Sequence, residues 1–257
     1  MTAKTILITG ASSGIGAALA RAYAVPGNRL MLWGRNEERL NALAEQCRAR
    51  GAELEIVRFD LADFSQLLDN LGASDTRNPI DLAIFNAGLG GSLPRDRVAQ
   101  DVHAAQRMVN VNFTAPVLGA NLLAERMAKR GQGRIVFVGS VAASFPLPMA
   151  PVYAGTKAGL ALFAEAFQLR LEKYGVDVTL VSPGFVDTPM SRSLSEPRPF
   201  LIGADAAAAI ITRKIERGAR HIVVPWQFAV IRALVNMVPG VIMRTVLTQL
   251  SRLPFGE

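Results

Sequence analysis

A chain of 257 residues, half of them apolar, can bury one large core, and α/β folds commonly run to this length as one domain. The single cysteine, Cys47, excludes an internal disulfide and a Cys-based zinc site; two histidines far apart, His103 and His221, argue against any metal centre. The net charge of +7 contains no dense Lys/Arg block and no interleaved aromatics, which sets nucleic acid aside; the seven basic and two acidic residues from Arg213 onward carry +5 of it.

From Lys4 the chain passes at once into the apolar run Thr5 to Thr9, so no signal segment is expected. No linker, low-complexity tract or repeat interrupts the rest of the chain. Strand-like runs at 5–9, 29–34, 54–59, 82–86, 134–140, 177–182 and 221–224 alternate with helical periodicity, as in 37–50, where Leu40, Leu43, Ala44 and Cys47 recur on one face. Runs that are apolar throughout imply burial on both faces. The expected fold is a doubly wound, Rossmann-like parallel sheet of about seven strands in three α/β/α layers. Residues 1–257 are expected as one dinucleotide-binding catalytic domain, with a core over 1–224 and a helical extension over 225–257. Such sheets bind ligands beyond the carboxyl ends of their strands, and the notable motifs fall there.

After the first strand comes Thr9-Gly10-Ala11-Ser12-Ser13-Gly14-Ile15-Gly16. Its glycines allow a tight turn and let backbone N–H groups meet a pyrophosphate at a helix N-terminus. The Gly-x-x-x-Gly-x-Gly spacing differs from the commoner Gly-x-Gly-x-x-Gly fingerprint. The second strand ends in Gly34-Arg35-Asn36, where NAD-preferring folds carry an acid for the ribose 2′-hydroxyl. Gly34 and Arg35 suit a phosphate, favouring NADP with NAD as the lesser option, although Ser13 is not basic and Glu37 and Glu38 lie close. Asp60, followed by Leu61, ends the third strand either as an acceptor for an adenine amino group or as a helix cap. Asn86-Ala87-Gly88 closes the fourth with small residues.

Ser140 ends the fifth strand; Tyr153 and Lys157 come after it, four residues apart and on one helix face. A nearby ammonium and a positively charged nicotinamide would lower the phenol toward neutrality, fitting Tyr153 to exchange the proton that accompanies hydride transfer. Ser140 would hold the substrate oxygen against it.

On these residues the chain resembles the short-chain dehydrogenase/reductase family from Thr5 to about Val224. The resemblance implies a glycine turn at Gly10, Gly14 and Gly16, a fourth-strand motif at Asn86-Ala87-Gly88, and Ser140, Tyr153 and Lys157 as catalytic residues. It implies that Asn112 organises a water relay to the lysine, with Asn110 a weaker competitor. It further implies that the loop at Pro183 and Gly184 brings the Val186 backbone and the Thr188 hydroxyl to the nicotinamide carboxamide. Where the family often has glycine three residues after the asparagine, this chain has Ala115 and then Pro116, which can kink a helix. A homodimer or homotetramer built on the two long helices beside the site is also implied.

Substrate contacts are expected from 89–94, 141–152 and 183–200, with Leu93, Phe145, Phe185 and Met190 foremost; some of these apolar residues would instead pack the loops. An apolar pocket with one polar focus suits a hydrophobic carbonyl/alcohol pair. Reduction of a 3-oxoacyl thioester is the rival reaction, and a non-catalytic dinucleotide-bound scaffold or sensor is the alternative of another class. Residues 225–252 form apolar stretches broken by Arg232, Asn236 and Pro239, too short to span a bilayer. They read as a lid, as subunit packing or as peripheral membrane contact. A cytoplasmic location is expected, with membrane association open.

Overall fold

The computed structural model describes residues 3–93, 96–194 and 197–236. The apolar stripe expected at 241–250, and Pro94 of the first substrate segment, lie outside them.

Strands β1 (Thr5–Thr9), β2 (Arg29–Gly34), β3 (Glu53–Arg58), β4 (Leu82–Phe85), β5 (Gly133–Val138), β6 (Val176–Pro183) and β9 (His221–Val224) form one parallel sheet in the order β3-β2-β1-β4-β5-β6-β9. A second, two-stranded sheet pairs β7 (Val186–Asp187) with β8 (Ile202–Gly203). The large sheet is apolar on both faces because successive side chains alternate between them. Ile6 and Ile8 join the core under helices α1 (Gly14–Tyr23), α2 (Glu37–Arg48) and α8 (Ala204–Glu216). Leu7, between them, joins the opposite core under α3 (Phe64–Arg77), α5 (Ala115–Arg130) and α6 (Pro151–Leu171). This is the three-layer, Rossmann-like α/β/α arrangement expected. The bounds of β1, β2 and β9 coincide with the runs read from sequence; β3 begins one residue earlier, and β4 and β5 release their last residues to the loops that build the cleft.

Two local features position those loops. First, α4 (Val102–Val109) passes into α5 through a π-helical turn, Asn110–Thr114, in which the Ala115 N–H returns to the Asn110 carbonyl. Pro116 then has no N–H to continue the ladder. The wider turn carries Asn112 into the interior, where it is 1% exposed. Second, the buried Asp75 of α3 accepts from the Ile80 N–H (2.9 Å) and from Arg130 of α5 (2.9 and 3.1 Å), tying both helices to the approach of β4. Removing one member of a buried ion pair strands the others, so Asp75→Ala should cost about 2–4 kcal/mol in urea unfolding. A change within about 0.5 kcal/mol would mean that the pair is idle.

Candidate active site

The β1–α1 turn is built on close backbone approach. Gly10 and Gly14 have left-handed backbones (φ +65° and +56°). A Cβ at Gly10 would stand 2.7 Å from the Ala87 Cα, so only glycine lets the turn press on the end of β4. Thr9 and Asn86 bolt the two strand tips together. The Thr9 hydroxyl accepts from the Asn86 and Ala87 N–H groups (3.0 and 3.1 Å), and the Asn86 amide donates to the Thr9 and Gly10 carbonyls (3.1 and 3.2 Å). A Cβ at Gly16 would lie 2.3 Å from the Gly10 carbonyl oxygen. Gly16 therefore packs α1 onto the turn and stands behind the residues that border the cleft. The rest of the expected cofactor set borders one cleft of about 890 Å³.

At its adenosine end, Ser13 stands at the N-cap of α1 with no side-chain cap bond, and the first turn contains no acid. The opening N–H groups of a helix face outward unpaired and favour an anion. Arg35 is exposed on the rim; of the two nearby acids, Glu37 is paired with Arg58 at 3.0 Å and Glu38 is exposed. A Cβ at Gly34 would meet Ser12 and Leu40 only at 3.5 Å, so space does not demand glycine there; the absence of a carboxylate is what matters. Arg39 borders the same end. It escaped the sequence reading although it follows Arg35 by four residues, in the first turn of α2. Asp60 is not the cap of α3; Asp63 is, accepting from the Gln66 N–H at 3.0 Å. Asp60 accepts from the Ala62 N–H at 3.0 Å and pairs with Arg107. Burial alone would raise its carboxyl, but the Ala62 N–H and the Arg107 guanidinium outweigh that and hold it below the usual carboxylate range. The glycine cradle, the open helix N-terminus and the exposed guanidinium fit a phosphorylated dinucleotide.

At the other end stand Ser140, Tyr153 and Lys157. The Ser140 Oγ accepts from the Ala142 N–H at 3.1 Å, leaving its proton to donate into the cleft. Pro151 starts α6 where its missing N–H costs nothing. One turn after Tyr153, the Lys157 Nζ donates to the Val138 carbonyl at 2.9 Å and lies 5.9 Å from the centre of the Tyr153 ring. Burial lowers Lys157 from 10.5 to about 8. The protein's own groups do not acidify Tyr153 as expected: burial raises the phenol, and only the Ser140 hydroxyl opposes it. The Lys157 ammonium, 5.9 Å from the ring centre and bonded to the Val138 carbonyl, does not overcome that burial.

Asn112 does not border the cleft. Its side chain grips the backbone of Leu89, accepting from the N–H at 2.7 Å and donating to the carbonyl at 2.9 Å, with a longer bond of 3.3 Å to the Thr156 hydroxyl. Thr156 in turn donates to the Tyr153 carbonyl at 2.8 Å. Thr156, which the sequence reading missed, thus links the grip on Leu89 to the tyrosine's own backbone.

Of the expected substrate residues, Phe145, Phe185 and Met190 border the cleft. Leu93 does not; its N–H donates to the Met149 carbonyl at 2.6 Å and ties two loops together. Arg192 is held by Asp187 (2.7 and 2.9 Å), with Arg198 3.9 Å from the same carboxylate, so neither is an unpaired anion hook.

Residues 4–199 match the family model for short chain dehydrogenases. The chain is a member of the short-chain dehydrogenase/reductase family. An uncharacterized oxidoreductase of Myxococcus xanthus is 31% identical over 241 residues, covering 93% of this chain and 94% of that one. The ketoacyl reductase HetN of Nostoc sp. is 32% identical, covering 82% and 73%. Among solved structures, a short-chain dehydrogenase from Sphingobium yanoikuyae in complex with NADPH superposes with a TM-score of 0.80 at 27% identity, over 92% and 96% of the two chains. The bulky-bulky ketone specific alcohol dehydrogenase from Comamonas testosteroni gives 0.78 at 27%, over 92% and 95%. The protein is thus a short-chain oxidoreductase acting on CH–OH groups.

In this oxidoreductase the buried lysine has a signature in stability. Its folded pKa, about 8, lies below its ordinary 10.5, so the unfolded chain binds the extra proton between those values. The penalty on the charged form is complete below pH 8 and fades as pH rises. The parent should therefore gain stability relative to Lys157→Met between pH 7.5 and 9.5, measured by urea unfolding of the cofactor-free protein; a constant difference would mean that Lys157 is not desolvated.

Proposed function

We propose that the protein is an NADP(H)-dependent oxidoreductase that interconverts a hydrophobic ketone and its secondary alcohol, with Tyr153 as general acid/base. The observation that carries this reading is that one cleft joins the glycine turn and Arg35 at one end to Ser140, Tyr153 and Lys157 at the other. The ligands named for the Sphingobium and Comamonas proteins point the same way.

A bound nicotinamide dinucleotide supplies or accepts the hydride. Gly10, Gly14 and the α1 N-terminus would hold its pyrophosphate, and Arg35 its 2′-phosphate; the backbone of Val186 and the Thr188 hydroxyl would hold its amide. In the reducing direction Ser140 donates a hydrogen bond to the carbonyl oxygen, and Tyr153 gives that oxygen its proton. Lys157, at the floor of the cleft, then favours the phenolate electrostatically. Asn112 acts through position, keeping Leu89 and the fourth-strand loop at the right distance.

Reduction of a 3-oxoacyl thioester remains the second reading, favoured by the likeness to HetN. A non-catalytic scaffold gains nothing from a buried ammonium, which costs stability wherever it does no chemistry. The exposed Leu162 and Leu169 of α6 support packing against a second copy. Trp226, Val230 and Leu234, exposed at four-residue spacing, support contact with a partner subunit or a membrane surface. No described helix is long and apolar enough to cross a membrane. The lone buried Cys47 fits the cytoplasm.

Tyr153→Phe should keep NADPH binding and lose about 10²- to 10⁴-fold in turnover, followed at the NADPH absorbance band with a ketone panel. Near-parent rates would reject the role. Arg35→Ala should weaken NADPH by about 10- to 100-fold while leaving NADH within about threefold, read as dissociation constants by fluorescence titration. Equal losses would reject the NADP preference.

A further inference from the structure

The helix α9 (Gln227–Asn236) follows β9 and begins the C-terminal extension. Its Phe228 is 7% exposed and borders the cleft, 88 positions after the Ser140 with which it shares that space. The ring packs against the loop after β6: a Cβ at Gly184 would stand 2.3 Å from two of its carbons, so glycine alone admits it there. The Gly184 N–H donates to the Val224 carbonyl at 2.8 Å, so backbone and side chain both pin the loop to the start of the extension.

Two further rings converge on it. Phe185 meets Phe228 edge to face at 6.0 Å and 62°, and Phe200 at 5.7 Å and 90°. Phe200 has φ +57°, the one described non-glycine residue with a left-handed backbone. A bulky residue holds that conformation only where its surroundings over-determine it. Here they are the Phe228 ring and the strand pairing of β7 with β8, where the Ile202 N–H donates to the Phe185 carbonyl at 3.1 Å. The segment from Thr188 to Phe200, which presents Met190 to the cleft, is therefore anchored at its far end on the extension.

We infer that Phe228 is a specificity-determining residue: its ring walls the substrate end of the cleft and, through Phe185 and Phe200, sets how bulky a ketone the site accepts. The inference rests on the ketone–alcohol reading above. Its physical basis is volume, because a buried aromatic wall cannot yield to a second bulky substituent without losing its own packing.

The test compares Phe228→Ala, Phe228→Leu and the exposed control Trp226→Ala. The substrates are a small methyl ketone (butanone) and a diaryl ketone (benzophenone), with NADPH. Phe228→Ala should raise the diaryl-to-methyl ratio of kcat/KM by at least about tenfold, mainly through KM, with Phe228→Leu between it and the parent and Trp226→Ala unchanged. The pH profile of kcat should not move, since a phenyl ring carries no titrating group. An equal effect on both ketones, or the same shift from Trp226→Ala, would overturn the inference. Calorimetric dissociation constants for both ketones in the NADPH complex need no turnover. If nothing is reduced but the binding ratio still shifts, the wall stands and the ketone–alcohol reading falls. If the parent turns over but neither ratio shifts in the folded Leu variant, the wall falls alone.

Discussion

The substrate end is organised around an ammonium taken out of water. A lysine at full burial pays a large desolvation cost, and the chain offsets only part of it with one carbonyl, that of Val138. That contact dictates where α6 can sit against β5, and so where Tyr153, one turn earlier, meets the cleft. Thr156 and Asn112 extend the same chain of hydrogen bonds to Leu89, so the tip of β4 is placed by the helix that carries the tyrosine. The buried charge, the tyrosine position and the loop after β4 form one linked system.

The cofactor end obeys a different constraint, the absence of side chains. Gly10, Gly14 and Gly16 each stand where a methyl group would meet another atom at 3.0 Å or less, and their partners are Ala87, Thr188 and the turn itself. The main chain of the turn is brought hard against these neighbours, which leaves N–H groups of α1 facing the cleft. Charge then enters only at the rim, where Arg35 and Arg39 are exposed and Asp60 is neutralised by Arg107. An electropositive rim around an uncharged cradle suits a ligand whose phosphates differ in depth.

The extension connects these two ends to the rest of the surface. Its cluster of three rings joins the nicotinamide-side loop at Gly184 to the substrate-side segment ending at Phe200. The outer stripe of the same helix is apolar and exposed, so one short helix both walls the cleft and presents a contact surface.

The amino-acid sequence by itself determined the layers and the family. Apolar runs in β1, β2 and β9 are dictated by burial on two faces, and glycine spacing and the Tyr153/Lys157 pair are local properties that survive any change of context. What only the tertiary structure decided depends on residues distant in the chain. Gly16 and Leu93 are read as ligand contacts from their neighbours in sequence, and only the fold shows Gly16 against the Gly10 carbonyl and the Leu93 N–H bonded to Met149. The Tyr153 phenol is raised because its environment is the sum of several elements, and no four-residue spacing encodes that sum. Phe228 meets Gly184 across 44 positions, and that contact exists only because β9 lies beside β6 in the folded sheet.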